Sequence, residues 1–189
     1  MLTEKEIKNY LQIPNHYYKK LSQKITQNSQ TTTEKIQAIV QYLRKHHGYS
    51  TQYNVERGKD PIEDFLQKKK AAHCEMFASS FVMLARAQKI PARYVAGYYA
   101  HEYNSIGKFL TIRACDAHAW AEVFLPNKGW TTIDPTPPAH LQNTLRSYRG
   151  TGEAYKELIA EYWRRIKNLF TKINWNDLGK LLAFFLILY

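Results

Sequence analysis

Apolar residues recur at helical intervals in "TTTEKIQAIVQYLRKHHG" (31–48), where Ile36, Ile39, Val40 and Leu43 form one stripe behind a run of threonines. The spacing predicts an amphipathic helix with a threonine cap, ended by Gly48. A loop over 48–61 leads to "PIEDFLQ", a proline-initiated helical turn. From Cys74 to Gln88 the stripe of Phe77, Phe81, Leu84 and Gln88, flanked by Met76, Met83 and Ala87, predicts a largely buried helix that ends before Pro91. The period then changes. Residues 92–100 and 109–115 carry β-type side chains around the polar loop "HEYNSIGK", and 118–125 and 130–134 form a further strand pair around "PNKG". Helices first and antiparallel strands afterwards predict an α+β fold, with the buried helix packed on an antiparallel β-meander.

Composition narrows this picture little. At 189 residues and 44% hydrophobic, the chain suits one domain with a genuine core and an appendage. Two cysteines, Cys74 and Cys115, exclude a disulfide scaffold. The net charge of +11 raises nucleic acid or an anionic membrane as partners, but its distribution argues against the first. Residues 1–70 hold 13 Lys/Arg against 7 Asp/Glu, whereas residues 71–138 hold 6 against 5. The nearly neutral stretch is the one that carries the candidate chemistry, and no P-loop, zinc-finger or RNP-like motif accompanies the basic ends. No nucleic-acid partner is expected.

That chemistry begins with Cys74 at the first turn of the buried helix, where unpaired N–H groups and the positive end of the helix dipole stabilise a thiolate. His118 opens the strand "HAWAEVF", and Asp134 closes "WTTID" before a proline that keeps it extended. A turn centred on Pro126 sets these two directly opposite; one centred on Asn127 makes them diagonal neighbours; one centred on Lys128 separates them. The first two registers put both side chains on one face. Nucleophile, base and orienting carboxylate are the set that acyl transfer by a thiol needs. The Cys74 backbone N–H is the natural first oxyanion donor, and Trp120 and Tyr98 are candidates for the second. Glu75 and Glu122 flank the site as helix-start and strand-surface charges. A zinc reading of His73, Cys74, Cys115 and His118 has poor geometry, because adjacent ligands rarely converge and Cys115 and His118 would leave a strand on opposite faces. Cys115 is expected to be a buried strand thiol, and neither a metal nor a cofactor is expected.

In this order, "AHCEMFASSFVMLARAQKIPARYVAGYYA", "DAHAWAEVFLPNKGW" and "IDPTPP" resemble the transglutaminase-like superfamily, in particular the core domain of bacterial membrane-linked members. "YLQIP" at 10–14 and "YLRKHHGYS" at 42–50 are similar to the segment that precedes this core, so the resemblance covers about residues 10–175. It implies a papain-like fold with Cys74 as nucleophile, His118 as base and Asp134 as orienting acid. Ala72 stands where the motif often has glycine, a departure that bears on the local turn. The implied activity is cysteine-dependent acyl transfer on peptide or glutamine-type amides through a thioester, with an amine or water as acceptor. The alternative is a membrane-tethered module of the same fold that binds peptides without turnover.

The expected organisation is a catalytic domain over 1–150 with a helical lead-in, followed by a basic amphipathic helix and an apolar tail over 151–189. In "EAYKELIAEYWRRIKNLFTKI" the stripe of Tyr155, Leu158, Ile159, Tyr162 and Ile166 lies near Arg164, Arg165 and Lys167, and "LLAFFLILY" follows. Nine apolar residues fall short of the ~20 that span a bilayer. They pack on the domain, lie in an interface or begin a membrane helix; residues 153–189 are therefore candidates for membrane contact. The first twenty residues contain no signal-like apolar run, so the chain as given is expected in the cytoplasm. Membership of a larger membrane protein would put it on the extracytoplasmic side.

Overall fold

The computed structural model describes residues 3–54, 58–104, 107–138 and 151–172. They fall into two compact units, one within Met1–Ala100 and Ile112–Arg146, the other within His101–Thr111 and Ser147–Tyr189.

Helix starts in the first unit are written in local capping chemistry. In α1 (Glu4–Asn9) and α3 (Thr32–His46), Thr3 and Thr31 each accept an N–H from the third helical residue, while Glu6 and Glu34 reach back to the cap's own N–H. Asn15 caps α2 (His16–Ile25), and Asp60 caps α4 (Pro61–Lys68) by accepting the N–H groups of Ile62 and Glu63. The fifth helix, α5 (Cys74–Ala87), has no side-chain cap. It is buried on nearly every side: Phe77, Phe81 and Leu84 are fully enclosed, among a core that includes Tyr18, Ile39, Leu43, Phe65, Ala121 and Val123. The Ser22 hydroxyl donates to the Leu84 carbonyl at 2.8 Å inside this core, tying α2 to α5 without leaving a buried polar atom unpaired.

The other side of α5 packs on an antiparallel sheet of β1 (Ala92–Tyr98), β4 (Ala117–Leu125) and β5 (Gly129–Ile133), in the order β1-β4-β5. The α+β reading therefore holds, with one change to the strands. Of the stretch 109–115, only Phe109–Thr111 is extended (β3), and it pairs with Glu102–Asn104 (β2), inside the expected polar loop, as a separate two-stranded sheet of the second unit. Both edges of β4 are already taken by β1 and β5, which leaves no place beside it for a meander strand. Residues 114–116 instead form a 3₁₀ turn, closed by the Arg113 N–H on the Asp116 carboxylate at 2.7 Å and the Asp116 N–H on the Arg113 carbonyl at 3.0 Å. The β4–β5 turn bonds the Lys128 N–H to the Leu125 carbonyl and puts Gly129 at φ 70, a conformation that only glycine adopts without strain.

In the second unit, α6 (Thr151–Lys172) matches the predicted amphipathic helix, with Tyr155, Ile159, Tyr162 and Trp163 more than half exposed. Among the described residues no helix is long and apolar enough to cross a membrane. The apolar run at 181–189 lies outside the described residues.

His47, at the end of α3, is 3% exposed and stacks on Phe65 with ring centroids 4.2 Å apart. Burial first, then the charges of His46 and Lys69, push its pKa down to about 4 from 6.5. The unfolded chain binds this proton below pH 6.5 while the folded chain refuses it until about pH 4, so stability falls across that window and levels off below it. Urea unfolding should show a loss approaching ~3 kcal/mol between those limits. His47→Phe should flatten the dependence there, since Asp64 and Asp134, whose pKa values are lowered, act only below their ordinary 3.8.

Candidate active site

The start of α5 is positioned by a short parallel bridge. The Ala72 N–H donates to the Gly48 carbonyl at 3.1 Å and the Ser50 N–H donates to the Ala72 carbonyl at 3.0 Å, pinning the segment after α3 against the segment before α5. A side chain at Gly48 would bring its Cβ to 3.3 Å from the Ala71 Cβ, and Ala72 itself is fully buried. The departure from glycine at Ala72 is thus accommodated by packing. Tyr49, between the two bonds, packs against the cluster of Cys74, Ala78 and Ala119. Its phenol oxygen accepts the Cys74 backbone N–H; burial first, then the charge of Cys74, push the Tyr49 hydroxyl up to about 12.

His118 and Asp134 meet through the Asn127-centred register. Ala121 faces Ile133 and Leu125 faces Gly129, so His118 and Asp134 are diagonal neighbours on one face. His118 Nε2 donates to Asp134 Oδ2 at 2.8 Å. The carboxylate's other oxygen accepts the Thr136 N–H at 2.9 Å, and Arg44, from the last turn of α3, donates to the Asp134 main-chain carbonyl at 2.7 Å. Asp134 is thus held at two points apart from its bond to the imidazole. A further hydrogen bond joins His118 to the Cys74 side chain. The bond to Asp134 first, then the bond to Cys74, raise the His118 pKa to about 9 against the opposing effect of burial. Burial pushes Asp134 up, but its bonds from His118 and Thr136 together bring it below its ordinary value. Cys74, His118 and Asp134 thus form one chain of contacts. Cys74 and His118 line a cleft of about 350 Å³ with Glu75, Tyr94, Ala96, Gly97, Tyr98, Ala117 and Ala119.

Trp120 stands two residues along β4 from His118, its ring 6.2 Å away and nearly parallel. It lies over Gly97, where an added Cβ would come to 2.9 Å from the indole. Tyr98 lines the cleft rim and is 57% exposed. Glu75 lies 3.7 Å from His73 at the surface, and Glu122 is held at 2.6 Å by Arg93, which stacks on Trp130. Cys115, expected as a buried strand thiol, is instead exposed in the 3₁₀ turn, because the Arg113–Asp116 bonds curl the chain there. Among the described residues no group of three or more His, Cys, Asp or Glu converges as metal ligands do. Sequence reasoning missed Tyr49 and Arg44. The first was visible only as a tyrosine after "HHG", and the second as one more cation in a basic helix.

A buried helix that begins with cysteine, packed on an antiparallel sheet carrying a paired histidine and aspartate, is the architecture of the papain-like α+β folds. Residues 19–135 match the core of the transglutaminase-like superfamily, and the chain belongs to that superfamily. It is 34% identical over 138 residues to YebA of Bacillus subtilis, covering 67% of this chain and 19% of YebA. It is 42% identical over 79 residues to a protein-glutamine gamma-glutamyltransferase of Pseudomonas aeruginosa, covering 42% of this chain and 12% of that one. The chain therefore spans less than a fifth of the length of these relatives. The crystal structure of the periplasmic domain of TgpA from Pseudomonas aeruginosa superposes with a TM-score of 0.63 at 29% identity, over 71% of this chain and 48% of that one.

Titration of His118 by NMR should give an apparent pKa near 9, and Asp134→Asn should bring it down further than Cys74→Ala does, since the Asp134 bond is the larger cause. The stabilisation this pairing gives the fold is present in full from pH 6.5 down to the ordinary Asp134 value of 3.8 and is lost as pH rises through 9.

Proposed function

We propose that the chain carries out cysteine-dependent acyl transfer on carboxamides, with Cys74 as nucleophile, His118 as acid and base, and Asp134 as the group that holds the imidazole. The observation that carries this reading is His118 hydrogen-bonded on one side to Cys74 and on the other to an Asp134 that Thr136 and Arg44 hold in place, at the wall of an open cleft. In the first half-reaction the Cys74 sulfur bonds to the carbonyl carbon. The His118 proton passes to the departing nitrogen, the C–N bond breaks, and a thioester remains. In the second, His118 takes a proton from an amine or water as that nucleophile attacks the thioester and frees the sulfur. An amine gives a new amide, and water gives an acid.

The tetrahedral oxyanion needs two donors. Tyr49 already stands within hydrogen-bond reach of the Cys74 N–H, so an oxyanion that takes over this N–H comes within reach of the Tyr49 O–H as well. Tyr49 replaces Trp120 and Tyr98 as the favoured second donor. Trp120 instead covers Gly97 beside the His118 ring, a place suited to excluding water from the imidazole. Likeness to a periplasmic domain supports an extracytoplasmic setting within a longer protein.

Incubation with glutamine-containing peptides should leave a thioester on Cys74 detectable by mass, discharged by an added primary amine. Cys74→Ala and His118→Ala should abolish the adduct, and Asp134→Asn should slow its formation through a misoriented imidazole. Tyr49→Phe should slow it roughly a hundredfold, as loss of one oxyanion donor does, while alkylation by iodoacetamide, which develops no oxyanion, stays within about twofold. No adduct from any peptide, with stoichiometric peptide binding that survives Cys74→Ala, would replace this reading by a binding module.

A further inference from the structure

Strand β1 lies at the edge of its sheet, and the hydrogen bonds at its two ends fix which of its main-chain groups face outward. The Phe124 N–H donates to the Pro91 carbonyl at 2.9 Å and the Tyr99 N–H donates to the Asp116 carbonyl at 2.8 Å. Both pairs belong to the register in which Arg93 faces Glu122, Val95 faces Trp120 and Gly97 faces His118. The odd-numbered residues therefore turn their N–H and C=O groups toward β4, and Ala92, Tyr94, Ala96 and Tyr98 turn theirs the other way. Ala92 confirms the direction: its N–H donates to the Tyr10 carbonyl at 3.2 Å, and its carbonyl accepts from Arg86 Nε at 2.9 Å. Past Ala92 the pairing does not continue among the described residues. Among the described residues no partner takes up the outward groups of Tyr94, Ala96 or Tyr98, and all three residues are exposed.

The same three residues line the cleft with Cys74 and His118. Their side chains share a face with Ala121, Ala119 and Ala117, the residues opposite them in register, and Ala119 packs on Cys74. Burial first, then the charges of Glu75 and Cys74, raise the Tyr94 hydroxyl, which places it in the field of the helix start. An unpaired edge with donors and acceptors repeating at every second residue matches one kind of ligand, another extended polypeptide. The small Ala96 between two tyrosines leaves the main chain accessible level with Ala119, which packs on Cys74.

We propose that the free edge of β1 at Tyr94, Ala96 and Tyr98 is a docking edge that takes an extended segment of the substrate protein as an added strand. A strand placed there lies about 4.8 Å from β1, with its side chains alternating between the two faces. The side chain level with Ala96 projects onto the face of Cys74. Its neighbours two positions away on either side lie over Tyr94 and Tyr98, and the adjacent residues turn to the opposite face. The docking mode rests on the acyl-transfer reading for which side chain reacts: a carboxamide borne on a side chain reaches Cys74, while the segment's main-chain amides stay in the ladder. Selectivity should therefore appear two residues to either side of the reacting glutamine and be weak at the adjacent positions.

The test uses the full chain carrying Cys74→Ala, so that binding is read without turnover. A glutamine-centred heptapeptide library is selected on it, and the tightest peptide is resynthesised with each backbone amide N-methylated in turn. Methylation should weaken binding by at least about fivefold at every second amide and little between them, as loss of one ladder bond predicts. Ala96→Pro removes one outward N–H without touching the β1–β4 ladder and should weaken the parent peptide to a similar degree, with an unchanged far-UV circular dichroism spectrum. Hydrogen exchange at the Tyr94, Ala96 and Tyr98 amides should slow when the peptide is bound. No binding at about 1 mM, methylation effects without a period of two, or occupation of the edge by a second copy of the chain in light scattering would each overturn the docking edge. Failure of the wild-type chain to form a thioester, with this binding pattern intact, would instead overturn the acyl-transfer reading alone.

Discussion

Enclosure of α5 is the constraint on which the remaining structure depends. Its apolar residues point in every direction, so helices must cover one side and a sheet the other before the chain gains anything from forming it. Once both are in place the helix cannot shift along its axis without opening the packing of Phe77, Phe81 and Leu84, and close-packed interiors resist such movement. Cys74 inherits that rigidity. A thiol placed on a loop would have to be held by its own contacts; here the core holds it, and only the direction of the first N–H is left for local bonds to decide.

Those local bonds come from segments distant in sequence. Tyr49 is set by the bridge between Gly48, Ser50 and Ala72, and Asp134 by an arginine of α3 and the N–H of Thr136. Every anchor ends on a backbone group or a buried side chain, so the hydrogen bond between His118 and Asp134 joins two parts whose positions are already determined. A donor and acceptor so placed lose little conformational freedom when they pair, which is why the imidazole is held charged well above its ordinary range.

The α5 stripe, the threonine-capped α3 and the strand pair around "PNKG" were legible because each is a local pattern: period 3.6, a capping box, two β runs around a turn. The register of His118 against Asp134 was legible only as a choice among turn centres, which Gly129 at φ 70 resolves in favour of Asn127. The stretch 109–115 looked like a sheet strand because its composition is right for one. Its true partner was decided by the occupancy of the β4 edges, a property of the assembled sheet that no window of sequence contains. The exposure of Cys115 is hidden from the sequence for the same reason, since the turn that exposes it needs Asp116 to fold back on Arg113. Tyr49 and Arg44 carry no local signal, because their roles exist only through contacts made by residues far along the chain.

Gly97 and Trp120 form a single unit of change. The indole occupies the volume that any side chain at 97 would need, and it lies alongside the His118 ring. A larger residue at 97 must push the indole toward the imidazole or away from the sheet, whereas a smaller residue at 120 leaves the glycine bare and admits water next to His118. Drift at either position alone is therefore penalised, and a lineage that alters one is expected to carry a compensating alteration at the other. In this fold the hydration of the histidine is inherited as a pair of residues on neighbouring strands.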